Sequence, residues 1–339
     1  MSAPLRTLDI ASSPHIRAGL GVDRIMFNVV LALLPVVAFA VYAFGLAALL
    51  GIATATASCV LSEHLLCRLA GKPSTIGDWS VTITGLLYGL TLPPGLALWM
   101  VALGGFLGVA MAKFLFGGLG YNAFNPALVA RAFLQAAFPG TMTTWMPAFD
   151  AERFTTLPAS VLAAPFMRPV ADAMSGATPL ARMKFEGEPT PGLDLLLGLT
   201  AGSSGETCAL LILVGGFYLA ARRMLDWRIP AAILGTVALA SAAMHAIDPA
   251  RYAPPGFMLG AGGLMLGAVF MATDMVASPI SRLGVLLYGA LIGTLVVVIR
   301  YWGGMPEGVM YAILLGNAVS PHLDRLIQPV AFGARDRTR

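Results

Sequence analysis

Long apolar runs separated by short polar breaks dominate the chain, and a bilayer-crossing helix needs about 20 such residues. Residues 25–44 and 46–66 meet that length, divided only around Gly45. Residues 81–92 form a shorter run stopped by Pro93-Pro94, and 95–116 follow. Asn125-Pro126 then opens another helix, because Asn is a good cap and Pro a good first helical residue. From 140 to 191 the periodicity is lost and prolines recur, so this is the one sizeable segment expected outside the membrane. Apolar character returns briefly at 195–199, breaks at TAGSSGE (200–206), and continues through 207–221, 229–247, 257–273, 283–302 and 308–326.

The pattern predicts an all-α integral membrane protein of about ten transmembrane helices. Spans three, five and six are short or interrupted and read equally as re-entrant. Three regions follow: a membrane part over 1–139, a polar loop over 140–191 and a second membrane part over 192–339. Five spans on each side of the loop imply two inverted repeats, an architecture whose sites lie near the repeat interface.

Composition agrees: 58% of the 339 residues are hydrophobic and 11% charged, against about a quarter charged in soluble domains. The 38 glycines suit helices that approach closely in lipid. A net charge of +4 implies no nucleic-acid partner, because the basic residues lie in short loops. With an inner N-terminus, fifteen of the 21 Lys and Arg residues, Arg131 among them, fall inside and six outside. Both termini are therefore expected in the cytoplasm and the 140–191 loop on the opposite side. Cys59, Cys67 and Cys208 have neither disulfide nor cluster spacing, and the polar first 25 residues lack the pattern of a cleaved signal peptide.

Several polar residues stand out. Asn122, Asn125 and Arg131 surround a short helix just before the loop. Asn125 reads either as a plain cap or as a helix N-terminus turned toward a ring or phosphate; Arg131 reads either as a ligand or as a snorkelling side chain. Glu206 and Asp274 lie at breaks, where cation passage competes with capping. Glu63 and His64 form a candidate proton relay, although solvation at the membrane surface is the simpler reading. Trp99, Trp145, Tyr301 and Trp302 suit interfacial belts.

Six motifs resemble one family: GGLGYNAFNPALVARAF from Gly117, DAMSGATPL from Asp172, Gly205-Glu206, WRIP from Trp227, Thr273-Asp274 and GGMPEG from Gly303. That family comprises the D subunits of Rnf electron-transport complexes and the B subunits of sodium-pumping NADH:quinone oxidoreductases. The resemblance covers nearly the whole chain, and the length and the Ala-Thr-Pro-Leu ending favour the Rnf branch. It implies that a flavin transferase joins FMN through its phosphate to the last Thr of a motif matched here by Asp172, Ser175, Gly176, Ala177 and Thr178. Thr178 is thus the expected phosphoester site, with Arg182 or Lys184 available to pair with the phosphate. The resemblance also implies a bacterial inner-membrane complex coupling electron transfer between NADH and ferredoxin to Na+ or H+ movement. Its other members would include a second covalent-flavin subunit and iron–sulfur subunits, and the sibling branch suggests a second, non-covalent flavin. Taken without the resemblance, the same scaffold suits a colourless solute transporter.

Overall fold

The structure, a computed structural model, describes residues 21–165, 167, 176–188, 190–206, 208–249 and 251–328. Every regular element among them is helical. The N-terminal part holds α1 (Val22–Leu69), α2 (Ser80–Leu90), α3 (Leu98–Val109), α4 (Pro126–Ala137) and α5 (Pro139–Met142). Past the polar loop come α6 (Pro179–Ala181), α7 (Gly192–Leu197), α8 (Ala209–Ala221), α9 (Arg228–Ile247), α10 (Pro255–Gly260), α11 (Leu264–Leu266), α12 (Arg282–Trp302) and α13 (Val309–Leu326). Helices α3, α6 and α11 each run on into a π turn, at Ala110–Phe114, Arg182–Glu186 and Gly267–Met271. α1, α9 and α12 are long and apolar enough to cross a bilayer. The chain is a multi-pass membrane protein, all-helical among the described residues.

The 48 residues of α1 are not one rod. Gly45 breaks them with φ 66° and ψ −142°, a conformation open essentially to glycine alone. Phe27 packs on Trp79, with ring centroids 5.3 Å apart, and the hydroxyl of nearby Thr75 donates to Glu63. A straight helix would hold Phe27 and Glu63 about 54 Å apart, so the two legs double back at Gly45. The polar loop clips this reversal. Leu46 N donates to Arg153 O (2.9 Å) and Phe149 N to Ala43 O (2.8 Å). The Arg153 side chain donates to Tyr42 O and lies over the rings of Tyr42, Phe149 and Phe154.

Helices approach closely where glycines remove side chains, as lipid-embedded packing requires. Gly85 and Gly89 of α2 meet Thr56 and Ile52 of α1, and Gly289 and Gly293 of α12 meet Ala232 and Ile233 of α9. The molecule has two ends. One carries Asn28, whose side chain accepts from Tyr218 and Arg222 of the α8 end (both 2.7 Å), together with Glu63 and Thr75. The other carries the Gly45 reversal and the Thr178 turn, joined through Gly176 N to Trp145 O (2.9 Å).

The run at 257–273, expected as one span, is divided. α10 stops at Gly260, and helix resumes only at Leu264, because Gly262 takes φ +68° and turns the backbone aside. Residues 198–206 are likewise non-helical. Their main chain is satisfied by α2: Gly205 N donates to Leu90 O (2.7 Å) and Ser204 N to Leu92 O (3.1 Å). Irregular backbone inside a membrane bundle survives only when buried in protein or lining a cavity, with its polar groups paired. Here the free carbonyls at the C-terminal end of α2 and the free amides of the break supply each other.

Candidate functional site

Thr178 ends the described part of its motif; Asp172 and Ser175 lie outside the described residues. Its extended backbone leads into Pro179, and its Oγ1 accepts from Ala181 N (3.2 Å), capping α6. The residue is 9% exposed and lines a cavity of about 310 Å³. Trp145, Phe185, Met305, Met310 and Tyr311 form the apolar walls, and Arg131, Gln135, Glu206 and Glu307 supply polar groups. Gly176, Ala177 and Pro179 also border a second, outward cavity of about 360 Å³ lined by Arg182, Glu188 and Asp194. The segment 176–179 is a wall between the two. A methyl on Gly176 would already press on Ala201, 3.1 Å away.

Two ion pairs bound the Thr178 cavity. Arg131 Nη1 lies 3.5 Å from Glu206 Oε1, joining α4 to the 198–206 break. Arg300 Nη2 lies 3.3 Å from Glu307 Oε2 and also donates to Ala261 O, while Nη1 donates to Met258 O. The free carbonyls at the end of α10 are therefore capped by a guanidinium from α12. Glu307 additionally accepts from the amides of Gly263, Gly308 and Val309. The 3.5 Å pair of Arg131 is the looser one, and its guanidinium lines the same cavity as Thr178. Lys184 is not free for a phosphate: its Nζ donates to the carbonyls of Arg300 (3.0 Å), Gly303 (2.5 Å) and Met305 (3.1 Å). Burial lowers its pKa from the ordinary lysine value. Arg182 is exposed and remains available.

Asn122 and Asn125 are placed elsewhere. Asn125 caps α4 by accepting from Ala127 N (3.0 Å) and donates to Met271 O (3.2 Å). Asn122 donates to Asp274 Oδ2 (3.2 Å). Both border a smaller cavity of about 100 Å³ toward the Asn28 end, together with Ser80, Thr84, Lys113 and Asp274. α4 thus starts at one cavity and carries Arg131 to the other, so Arg131 is a buried cavity residue rather than a charge of the Asn28 end. Glu63 is not solvated. It is 3% exposed and pairs with Lys113 at 2.6 Å, while Lys113 Nζ also donates to Ser80 Oγ (2.7 Å). His64 is exposed on the neighbouring helix face. Of the aromatic residues read as belts, Trp145 instead lines the Thr178 cavity.

Lys113, Arg300 and Glu307 are the site residues that the sequence did not single out. Lys113 sits in the π turn of α3, and π turns recur at functional sites, but one extra residue per turn leaves no compositional mark. Glu307 was visible only as part of GGMPEG. The three cysteines are free and buried.

Residues 9–333 match the family described as NQR2, RnfD, RnfE. The chain is 41% identical over 336 residues to the D subunit of the proton-translocating ferredoxin:NAD(+) oxidoreductase complex of Clostridium ljungdahlii, covering 96% of each chain. It is 39% identical to the D subunit of the Na(+)-translocating ferredoxin:NAD(+) oxidoreductase complex of Acetobacterium woodii, covering 96% of this chain and 95% of the relative. Against the D subunit of the ion-translocating oxidoreductase complex of Stutzerimonas stutzeri the identity is 40%, over 93% of each. With a match of this length and relatives of this similarity, the chain belongs to the NQR2, RnfD, RnfE family.

Proposed function

We propose that this chain is the membrane subunit of an Rnf-type complex that couples electron transfer between ferredoxin and NAD+ to Na+ or H+ translocation, and that it carries FMN on Thr178. The observation that carries the reading is the position of the Thr178 hydroxyl. It belongs to a small-residue turn that lines a cavity with aromatic walls and an arginine held by a long, 3.5 Å ion pair. A phosphoester on Oγ1 bears one negative charge, which Arg131 in the cavity, or Arg182 on the outer side of the 176–179 wall, is available to balance. Trp145, Phe185 and Tyr311 offer surface for a planar ring. The residues present therefore fit the group. When bound, the flavin supplies one- and two-electron redox chemistry; the chain's own residues tether it, balance its charge and exclude water.

The subunit lies in a bacterial inner membrane, with the Asn28 end cytoplasmic and the Thr178 end periplasmic. Ten crossings arranged as two inverted groups of five are supported by the doubled α1 and by the matched Gly-x-x-x-Gly contacts of α2 and α12. The broken segments at 91–97 and 261–263 support the same arrangement. The loop 140–191 divides a membrane part over 1–139 from another over 192–339. The sibling branch adds a second, non-covalent flavin to this reading, and Asn122 and Asn125 are the polar residues offered for it. Partners are the other Rnf subunits, among them a second covalent-flavin subunit and iron–sulfur subunits, with a flavin transferase for maturation.

The test is in-gel flavin fluorescence and intact-mass analysis of the subunit purified from a host with the transferase. Wild type should carry an FMN-sized adduct and Thr178→Ala none. An adduct surviving in Thr178→Ala, or a colourless wild type, overturns the assignment.

A further inference from the structure

We propose that Lys184 is a positioning residue, an ammonium latch that holds the Thr178 turn against the loop after α12 and so sets the width of the cavity between them. This rests on the reading of Thr178 as the flavin site. Lys184 lies on the π turn that continues α6, six residues from Thr178. Its three acceptors are main-chain carbonyls of 300, 303 and 305, at and beyond the end of α12.

The two sides of this latch are the two walls of the cavity. On one side Phe185, next to Lys184, lines the cavity together with residues 176–181. On the other, Met305 lines it and supplies an acceptor carbonyl, followed by Pro306, Glu307, Met310 and Tyr311. The 303–308 loop is also tied to the α10–α11 break, through Glu307 to Gly263 N and Arg300. A lysine at a helix C-terminus commonly does no more than offset the helix dipole and cap free carbonyls. Here the acceptors extend past the helix into the loop that forms the opposite wall. Opening the latch separates Phe185 from Met305 and admits water to whatever Thr178 carries.

The experiment compares wild type, Lys184→Met, which keeps the length of the side chain and removes every donor, and Lys184→Arg, which keeps donors. All are purified as the full subunit or complex after flavin attachment. Hydrogen–deuterium exchange, which needs no flavin, should accelerate about tenfold in Lys184→Met over both 180–188 and 303–309, as expected for losing charge-assisted hydrogen bonds. Iodide quenching of the bound flavin should rise about twofold in the same variant, and Lys184→Arg should stay close to wild type in both measures. Unchanged exchange over 303–309 overturns the latch. Faster exchange with unchanged quenching overturns the positioning role and leaves a plain helix cap. A wild type without covalent flavin refutes the Thr178 reading instead, and the exchange data still decide the latch. Should Lys184→Met fail to accumulate in membranes, Lys184→Leu, which also removes every donor, is read by the same criteria.

Discussion

Gly45→Ala tests whether the reversal of α1 is held by the polar loop. A methyl group built on Gly45 would lie 1.9 Å from Arg153 O and 2.5 Å from Arg153 C. These are main-chain atoms, so no side-chain rotation relieves the overlap. The residue must also keep φ 66° and ψ −142°, which costs an alanine about 1–3 kcal/mol. If the loop withdraws, the Leu46–Arg153 and Phe149–Ala43 hydrogen bonds are lost, at about 0.5–1.5 kcal/mol each. The sum is roughly 2–6 kcal/mol. Thermal unfolding of the purified subunit in detergent should show an apparent Tm lower by about 3–8 °C, with faster protease cleavage in 147–156. Gly51→Ala is the control, because the added methyl has open space around it and alanine is the better helix former by about 1 kcal/mol. If Gly45→Ala melts with wild type, or no lower than Gly51→Ala, the loop does not hold the turn and the reasoning fails.

Further outcomes follow from buried contacts. Glu63→Gln or Lys113→Met alone should cost about 3–5 kcal/mol by stranding a charge, and the double variant less than either. Additive losses in a thermal-stability cycle would show that the 2.6 Å pair is not coupled. Gly205→Ala brings a methyl to 2.7 Å from Leu90 Cβ and should cost about 1–3 kcal/mol; wild-type melting would contradict the close approach. Asn125→Ala should lower stability by about 0.5–2 kcal/mol through loss of the α4 cap, and an unchanged melt would show that the cap adds nothing.

The parts of this fold that depend on local chemistry were legible in the chain. The Asn125-Pro126 start of α4 is one, since the cap and the fixed proline φ act within three residues. The apolar runs are another, because span length follows from bilayer thickness. The division of 257–273 was missed: its hydropathy is continuous, and a glycine pair does not announce whether it packs a helix or bends it. Glu63 read as solvated because its partner lies fifty residues away, on a π turn that no periodicity reveals. Thr178 came from a motif, but its cavity is assembled from positions between 131 and 311, and such a meeting is a tertiary fact. The available lysine also proved to be committed, because its acceptors are carbonyls, and every residue type carries one.

The hydrogen bonds between Leu90, Leu92, Ser204 and Gly205 have a mechanical consequence. They join the early and late parts of the chain largely through main chain, with Ser204 Oγ adding a bond to Leu92 O, among buried residues where little water is at hand to replace a broken bond. Sliding one part past the other there would strand amides and carbonyls at several kcal/mol each. That seam behaves as a weld. Substitution reaches it at Gly205, through the close approach to Leu90, and at Ser204, through its hydroxyl, and sliding of one part against the other is opposed there. A rearrangement that keeps this seam intact is taken up elsewhere in the chain.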